Sequence, residues 1–425
     1  MTQGMEAGAP SRGARRRVLS TVLTALLAVY AAAVLAKMAV EPESFQFSFR
    51  MYYVAGQAFD QGENPYDRQV LSRLAGRPIY SGYVYPPITL NVVWLLARLD
   101  YVTAYRLYLG LKCVALVFLL WLWRTKLVAG QTDAVFWLVC LIGFNYAIYW
   151  DLSAGNISLF EQALLWLAFL SFMKGRLGAF GVCVATAAFF KLTLILFLVL
   201  LLFSKARTRW VWFFGAGTIF LLIELVSAAL YPQFFADYLR SISGVVTQID
   251  TEATVMYKYP ATWPLIKSLT AALGQKVGMT IPPALQLLAY GAVVLGVTGM
   301  SGCALWFARG KERGDPRLAL VVMCCFVYVL TVPRLMNYSY IVLLVPAYLV
   351  MRELRYVPAV ALLLVLMAVS TTGARPPGFR AAAEMLGEYY PLTCAYILWA
   401  CYLYLLRRSG GESVLVPRRG EVMGV

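Results

Sequence analysis

The sequence predicts an all-α, polytopic membrane protein. Three observations carry that expectation. Hydrophobic residues make up 61% of the 425 positions and charged residues 14%, where soluble domains carry about a quarter charged residues. The mean hydropathy is +0.70. Apolar runs of spanning length recur from Val18 to Leu406, and within a bilayer only helices or closed barrels satisfy every backbone polar group. The same observations exclude an ordinary soluble domain, a disordered chain and a disulfide-stapled secreted module.

The elements follow in chain order. Arg12, Arg15, Arg16 and Arg17 precede the first run, Val18–Val40, so residues 1–17 read as a cytoplasmic basic tail. No small-residue cleavage site clearly follows that run, which reads as a span and not as a signal peptide. Residues 41–84 form a first long outer loop. Apolar runs continue at Tyr85–Leu99, Val102–Trp123, Ala134–Trp150, Ile157–Met173, Leu177–Phe203 and Trp210–Leu230. A second outer loop, 231–282, leads to Pro283–Phe307, Arg317–Val332, Tyr338–Met351 and Val357–Val369. A third outer loop, 370–388, leads to the last span, Tyr389–Leu406, and residues 407–425 form a cytoplasmic tail. In all, about 12 segments enter the membrane, as one domain over residues 18–406.

Basic connections at Lys205–Arg209, Arg309–Arg317, Arg352–Arg355 and Arg407–Arg419 fall on the same side as the N-terminus. This is the positive-inside pattern expected of a plasma or inner membrane protein with both termini in the cytoplasm. The stretch from 85 to 203 allows two readings. In one, Tyr85–Leu99 only dips into the membrane and Leu177–Phe203 folds as two half-length helices around Lys191. That puts Arg124, Lys126, Lys174 and Arg176 inside. In the other, Tyr85–Leu99 crosses and Leu177–Phe203 is one tilted span of about 40 Å. Charge favours the first reading and length the second.

Composition also bounds the chemistry. His is absent, which removes imidazole bases and His-ligated metals. The eight cysteines all lie in apolar runs and read as buried small hydrophobes. A net charge of +16 would suggest nucleic acid on a soluble protein. Here the excess sits largely in short connections between spans, where anionic lipid headgroups are its partners and nucleic acid is not expected.

The first outer loop and its exit carry Glu41, Glu43, Asp60, Glu63 and Asp67 among Tyr52, Tyr53, Tyr66, Tyr80, Tyr83 and Tyr85. Carboxylates accept sugar hydroxyls and ring faces stack on sugar C–H surfaces. An amphipathic loop resting on headgroups has a similar composition. Asn64-Pro65-Tyr66-Asp67 reads as a turn with Asn capping the turn and Asp the following helix. Lys191 interrupts a strongly apolar stretch, and a cation there faces a cavity or a partner; Glu161 and Glu224 are the acids in nearby runs. Arg334 occupies a short turn between two spans. Lys258 and Arg240 are further cations in the second outer loop, where Met256–Pro264 reads as a lid or groove segment.

The order of these features resembles glycosyltransferase family 87, enzymes of the GT-C fold that use polyprenyl-phosphate sugars. Tyr52-Tyr53, Gly62-Glu63-Asn64-Pro65-Tyr66-Asp67 and Tyr85-Pro86-Pro87 resemble its first-loop pattern. Gly155-Asn156-Ile157-Ser158 stands where the family shows a G-Q-x-N/S element. Phe190-Lys191-Leu192-Thr193 is similar to its K-x-T segment, and Val332-Pro333-Arg334 with Asn337-Tyr338 to its late P-R…H-Y segment. Two positions depart from the pattern. The family's first-loop Asp, its general base, is Ser48 here, and its late His is Asn337. A serine hydroxyl cannot act as a general base at neutral pH, so Glu43, then Glu41 or Asp67, stand as replacement carboxylates.

The resemblance implies transfer of a sugar, mannose by analogy, from a polyprenyl-phosphate carrier to a lipid-linked or envelope glycan. The transfer would be inverting and on the outer face, with no cofactor and little need for a metal. Lys191, Arg334 and Lys258 would hold the lipid phosphate. Ser48, Tyr52, Tyr53, Asn64, Tyr66, Tyr85, Asn156 and Asn337 would line the substrates. Ser48 and Asn337 also leave open a non-catalytic flippase, transporter or degenerate relative. A transferase would gather these residues at one outer-facing cavity beside a lipid-width groove.

Overall fold

The computed structural model describes residues 12–42, 44–79, 82–128, 134–247, 259–308, 316–354 and 387–408. They form an all-α membrane protein. Helix α1 is Arg12–Val40, α2 Phe47–Asp60, α3 Arg68–Ala75, α4 Leu90–Ala97 and α5 Tyr101–Leu122, which runs on through a π turn, Trp123–Leu127. Then come α6 (Ala134–Ala154), α7 (Ser158–Met173), α8 (Leu177–Phe190), a 3₁₀ segment (Leu192–Phe203), α9 (Arg209–Leu230) and α10 (Pro232–Thr247). Helices α11 (Thr262–Val277), α12 (Pro283–Ala308) and α13 (Pro316–Thr331) precede a second 3₁₀ segment, Asn337–Leu343. That segment continues as α14 (Leu344–Glu353), and α15 is Tyr390–Arg408.

Among the described residues, four stretches are long and apolar enough to cross a membrane: Tyr101–Leu127, Val135–Ala154, Arg209–Leu230 and Pro283–Ala308. Several other apolar helices are shorter. Helix α7 has 16 residues, about 24 Å at a rise of about 1.5 Å per residue, against a hydrocarbon core of about 30 Å. Helices α8 and α13 are of similar or smaller length. Such helices end inside the protein, where their free backbone groups need polar partners.

The contacts decide between the two readings of residues 85–203. Gly178 packs on Trp212, Gly181 on Ala216 and Phe189 on Phe220, so α8 runs parallel to α9. The 3₁₀ segment runs back antiparallel to α9, to which residues 204–208 join it. Residues 177–203 are therefore a hairpin with Lys191 at its tip, level with the middle of α9. Helix α4 has 8 residues and cannot cross. Helix α5 begins beside α2, where Tyr101 packs on Tyr53, so Tyr85–Leu99 dips and returns. The turn at Lys174–Arg176, the connection Lys205–Thr208 and Arg317, which donates to Met173 O at 2.6 Å, gather at one end of the bundle.

A second hairpin meets the first. Phe136 packs on Tyr348, Gly143 on Leu344 and Phe144 on Tyr340, so residues 337–353 run antiparallel to α6. Together with α13 they form a hairpin whose tip is Val332–Ser339. The sequence reading made Arg317–Val332 and Tyr338–Met351 two spans joined by an outer turn. The structure instead recesses that turn to the level of Lys191, because the tips touch: Lys191 Nζ donates to Ser339 Oγ at 2.7 Å. Within α6, Phe144, Asn145 and Tyr146 take left-handed φ values of 52°, 60° and 59°. This break shortens each half of the helix, and the Phe144–Tyr340 stack fills it.

The outer loops also differ from the expectation of simple polar connections. Residues 41–84 contain α2 and α3, and α2 buries most of its residues, from Ser48 to Ala58. Residues 231–282 contain α10 and α11. Val357–Val369 and nearly all of loop 370–388 lie outside the described residues.

Candidate active site

Three helix joints meet at one level beneath α2 and the 82–89 segment. The first is Gly155-Asn156-Ile157, between α6 and α7. Gly155 has φ 66°, and a Cβ there would lie 2.7 Å from Gln46 Cβ and 2.9 Å from Phe49 Cβ. Only glycine admits both the turn and the close approach of α2. Asn156 is the hub. Its Oδ1 accepts from Ser158 N at 3.2 Å and lies 2.9 Å from Ser158 Oγ, whose one proton serves either Asn156 or Glu161. Its Nδ2 donates to the Tyr52 hydroxyl at 3.3 Å and the Tyr338 hydroxyl at 3.0 Å.

A buried ion pair pins this joint. Lys112 and Asp151 are both wholly buried, with Nζ 2.7 Å from Asp151 Oδ2. The same ammonium donates to Asp151 O at 2.5 Å and Asn156 O at 2.6 Å. The two hydrogen bonds, to Asp151 O and Asn156 O, hold the ends of the α6–α7 turn.

Lys191 is the second joint. Its extended backbone (φ −152°, ψ 95°) ends α8 and starts the returning 3₁₀ segment. Glu161, on the first turn of α7, is the acid in electrostatic reach of Lys191, and its Oε2 accepts from Ser158 Oγ at 3.2 Å. The third joint, Val332–Ser339, contributes Tyr338 and Ser339. Beside these, Thr193 and Tyr328 hydroxyls share a hydrogen bond of 2.9 Å.

Tyrosines close the cluster from above. The Tyr52 and Tyr85 hydroxyls are 2.8 Å apart, the Tyr66 hydroxyl donates to Tyr85 O at 2.7 Å, and Tyr83 bonds Thr89 at 2.7 Å. Burial pushes the Tyr66 hydroxyl above the usual tyrosine range, which keeps it a donor. Ile88 N donates to Ser227 Oγ at 3.1 Å, fixing this segment to α9.

The structure thus brings Tyr52, Tyr66, Tyr85, Asn156 and Lys191 of the expected residues together. Ser48 is buried one helical turn before Tyr52, on the same face of α2. Others lie apart. Asp67 is exposed, and its carboxylate accepts from Gln69 N at 2.8 Å as the cap of α3; the local turn chemistry holds it there. Asn64 closes the predicted turn by accepting from Tyr66 N at 3.0 Å and donates to Asp237 at 2.8 Å. Tyr53 donates to Leu99 O at 2.8 Å, tying α2 to the start of α5. Arg334 stacks over the Tyr259 ring, 4.3 Å from its centroid, and Tyr259 is an electrostatic neighbour of Tyr338. Asn337 begins the second 3₁₀ segment and is half-buried. Glu43 and Lys258 lie outside the described residues.

Lys112, Asp151 and Ser339 belong to the cluster without having been singled out for it, and Glu161, expected only as an acid that could partner Lys191, belongs to it too. The signal for Lys112 and Glu161 was a charge inside an apolar run, the same one that marked Lys191; Asp151 directly follows such a run. Among the described residues no three His, Cys, Asp or Glu side chains gather to hold a metal ion.

The model of glycosyltransferase family 87 matches residues 83–333, more than half of the chain. The chain belongs to glycosyltransferase family 87. The match takes in Tyr85-Pro86-Pro87, the Gly155–Ser158 joint and the Lys191 tip, and reaches the third joint at Pro333. It does not include α2, α3 or Arg334. No curated protein and no solved structure matches the chain. As a family 87 member with membrane-spanning helices, it is a membrane glycosyltransferase. The three segments that the match covers in full, far apart in the chain, meet at the Asn156–Lys191 cluster.

Proposed function

We propose that the protein transfers a sugar, mannose by family analogy, from a polyprenyl-phosphate carrier to a lipid-linked or envelope glycan, with inversion, on the outer face of the cell membrane. The single observation that carries this reading is Lys191. It is a cation at a hairpin tip, held by the neutral Ser339 hydroxyl, and the returning arm of the same hairpin borders an apolar groove. That groove encloses ≈ 450 Å³ between the 3₁₀ segment and α9 and is lined by residues such as Ile195, Leu198, Leu202, Phe213 and Leu221. Exposed Leu196, Phe214 and Leu221 on its rim face lipid. A polyprenyl chain suits the groove, and its phosphate then reaches Lys191.

Chemically the reaction needs three things: a held phosphate, a held acceptor and a carboxylate. Lys191 stabilises the charge that develops on the departing lipid phosphate. Arg334, near Tyr338 through Tyr259, is a second cation on the same side. The polar groups at Asn156, Tyr52, Tyr85 and Tyr338 orient sugar hydroxyls. The basic turns at the opposite end of the bundle support a cytoplasmic location for that end and for both termini.

Purified protein in proteoliposomes, supplied with radiolabelled polyprenyl-phosphate-mannose and an envelope glycolipid, tests the reading. Labelled product is expected, and Lys191→Met is expected to abolish it. Absence of transfer from every polyprenyl-phosphate sugar would overturn the reading.

A further inference from the structure

We infer that Glu161 is the carboxylate that takes the acceptor's proton in this protein. The inference rests on the transferase reading above and adds to it the identity of the base. Ser48 leaves α2 without an ionisable group on the face that carries Tyr52, so the proton acceptor must come from elsewhere in the site.

Most described carboxylates are committed elsewhere: Glu41 is exposed at the end of α1, Asp60 accepts from Trp94 and Arg98, Glu63 pairs with Arg73, Asp100 caps α5 and Glu353 lies beside Arg352. Asp151 is consumed by Lys112. Asp67 caps α3 in solvent. Asp237 is held by Asn64 and Arg240. Glu224, on α9, is an electrostatic neighbour of Tyr66 and Tyr238, not of Lys191. Glu161 alone of these shares its surroundings with Lys191.

Glu161 is also wired into the substrate-facing hydroxyls. Ser158 Oγ lies within hydrogen-bond reach of both Glu161 Oε2 (3.2 Å) and Asn156 Oδ1 (2.9 Å), its one proton serving either acceptor, and Asn156 in turn donates to Tyr52, whose hydroxyl meets that of Tyr85. The residue is 2% exposed, so the carboxylate is shielded from bulk water. Among the described residues Lys191 and Glu161 make no direct ion pair; each is held by a serine hydroxyl instead. Cation and carboxylate are thus each left with a neutral hydroxyl partner. A phosphate meets the first and a hydroxyl the second.

The step balances as follows. The acceptor O–H bond breaks, its proton passes to a Glu161 oxygen, and the acceptor oxygen bonds to the anomeric carbon. The carbon–oxygen bond to the lipid phosphate breaks, and its electron pair leaves on the phosphate oxygen opposite Lys191. The protonated carboxyl gives its proton to water that enters the site as the product leaves.

Glu161→Gln keeps the size of the side chain and an oxygen for Ser158. Its kcat is expected to fall at least about 100-fold, the usual weight of a general base, with the donor KM unchanged or lower. Glu161→Asp is expected to keep a measurable rate and an acid limb in its pH profile, which the Gln variant loses. Binding of a short polyprenyl phosphate, followed by tryptophan fluorescence, shows that each variant is folded. Three results count against the inference. A Gln variant within about tenfold of the wild-type kcat overturns it. So does a Gln variant that raises only the donor KM, which would make Glu161 a positioning partner of Lys191. Loss of transfer in Glu43→Gln with retention in Glu161→Gln overturns it as well. Wild-type protein that transfers nothing from any polyprenyl-phosphate sugar overturns the transferase reading itself, and this inference with it.

Discussion

Replacing Lys112 with methionine removes one ammonium and three contacts at once. The lysine is wholly buried and reaches Asp151 Oδ2 at 2.7 Å, Asp151 O at 2.5 Å and Asn156 O at 2.6 Å. Methionine fills the same space but leaves a carboxylate without its cation and two carbonyls without a donor. Breaking a buried pair from one side costs about 3–5 kcal/mol, and each orphaned carbonyl adds about 1–3 kcal/mol unless it finds a new partner. Set against a total stability of about 5–15 kcal/mol for a typical domain, the variant is expected to unfold far below wild type in detergent. The double variant Lys112→Met/Asp151→Leu removes the stranded charge and should recover most of that loss. It should not recover transfer, because Asn156 O still lacks the donor that holds the hub in place. Thermal unfolding followed by size-exclusion chromatography measures the first effect, and the proteoliposome transfer assay the second. A single variant as stable and active as wild type would refute the pinning role. A double variant with full activity would show that the joint holds itself.

Four further outcomes follow from the same geometry. Gly155→Ala should destabilise the protein by at least about 1–2 kcal/mol, from the left-handed φ alone, and the clash with Gln46 adds to that; unfolding temperature reads it. Lys191→Met should weaken binding of a polyprenyl phosphate about 10- to 100-fold, the range for a charge-assisted hydrogen bond of about 1.5–3 kcal/mol, measured by fluorescence titration. Asp67→Ala should cost about 1 kcal/mol as a lost helix cap and leave kcat intact; loss of kcat would restore Asp67 as a base. Gly217→Leu, at a groove position with open space beside it, should raise KM for long-chain donors and spare short-chain ones.

Part of the site was legible in the sequence for local reasons. Asn64-Pro65-Tyr66-Asp67 closes its turn and caps α3 with its own side chains, so four adjacent residues sufficed to read it. Lys191 was legible because a cation inside an apolar run is costly enough to need a purpose. The same rule marked Glu161 and Glu224, and it applies equally to Lys112, inside the run Val102–Trp123. It could not rank them, because the cost of a buried charge depends on the partner, and partners lie far along the chain. Tyr53 and Tyr52 are neighbours in sequence, yet α2 turns one toward Leu99 O and the other toward Asn156. A helix sends adjacent side chains about 100° apart, so which tyrosine faces the site follows from how α2 is set on Gly155.

By itself the amino-acid sequence determined that this is a helical membrane protein, since transfer of apolar residues to lipid is a property of composition and run length. It also determined the ordered motifs by which the family is known. Tertiary structure alone decided that residues 177–203 turn back at Lys191, because a 27-residue apolar run satisfies a tilted span and a recessed hairpin alike, and only packing against α9 separates the two. It decided as well that Lys112 meets Asp151 and that Glu161 stands near Lys191. Electrostatic and hydrogen-bond energies fall off within a few ångströms, and only the folded chain sets those distances.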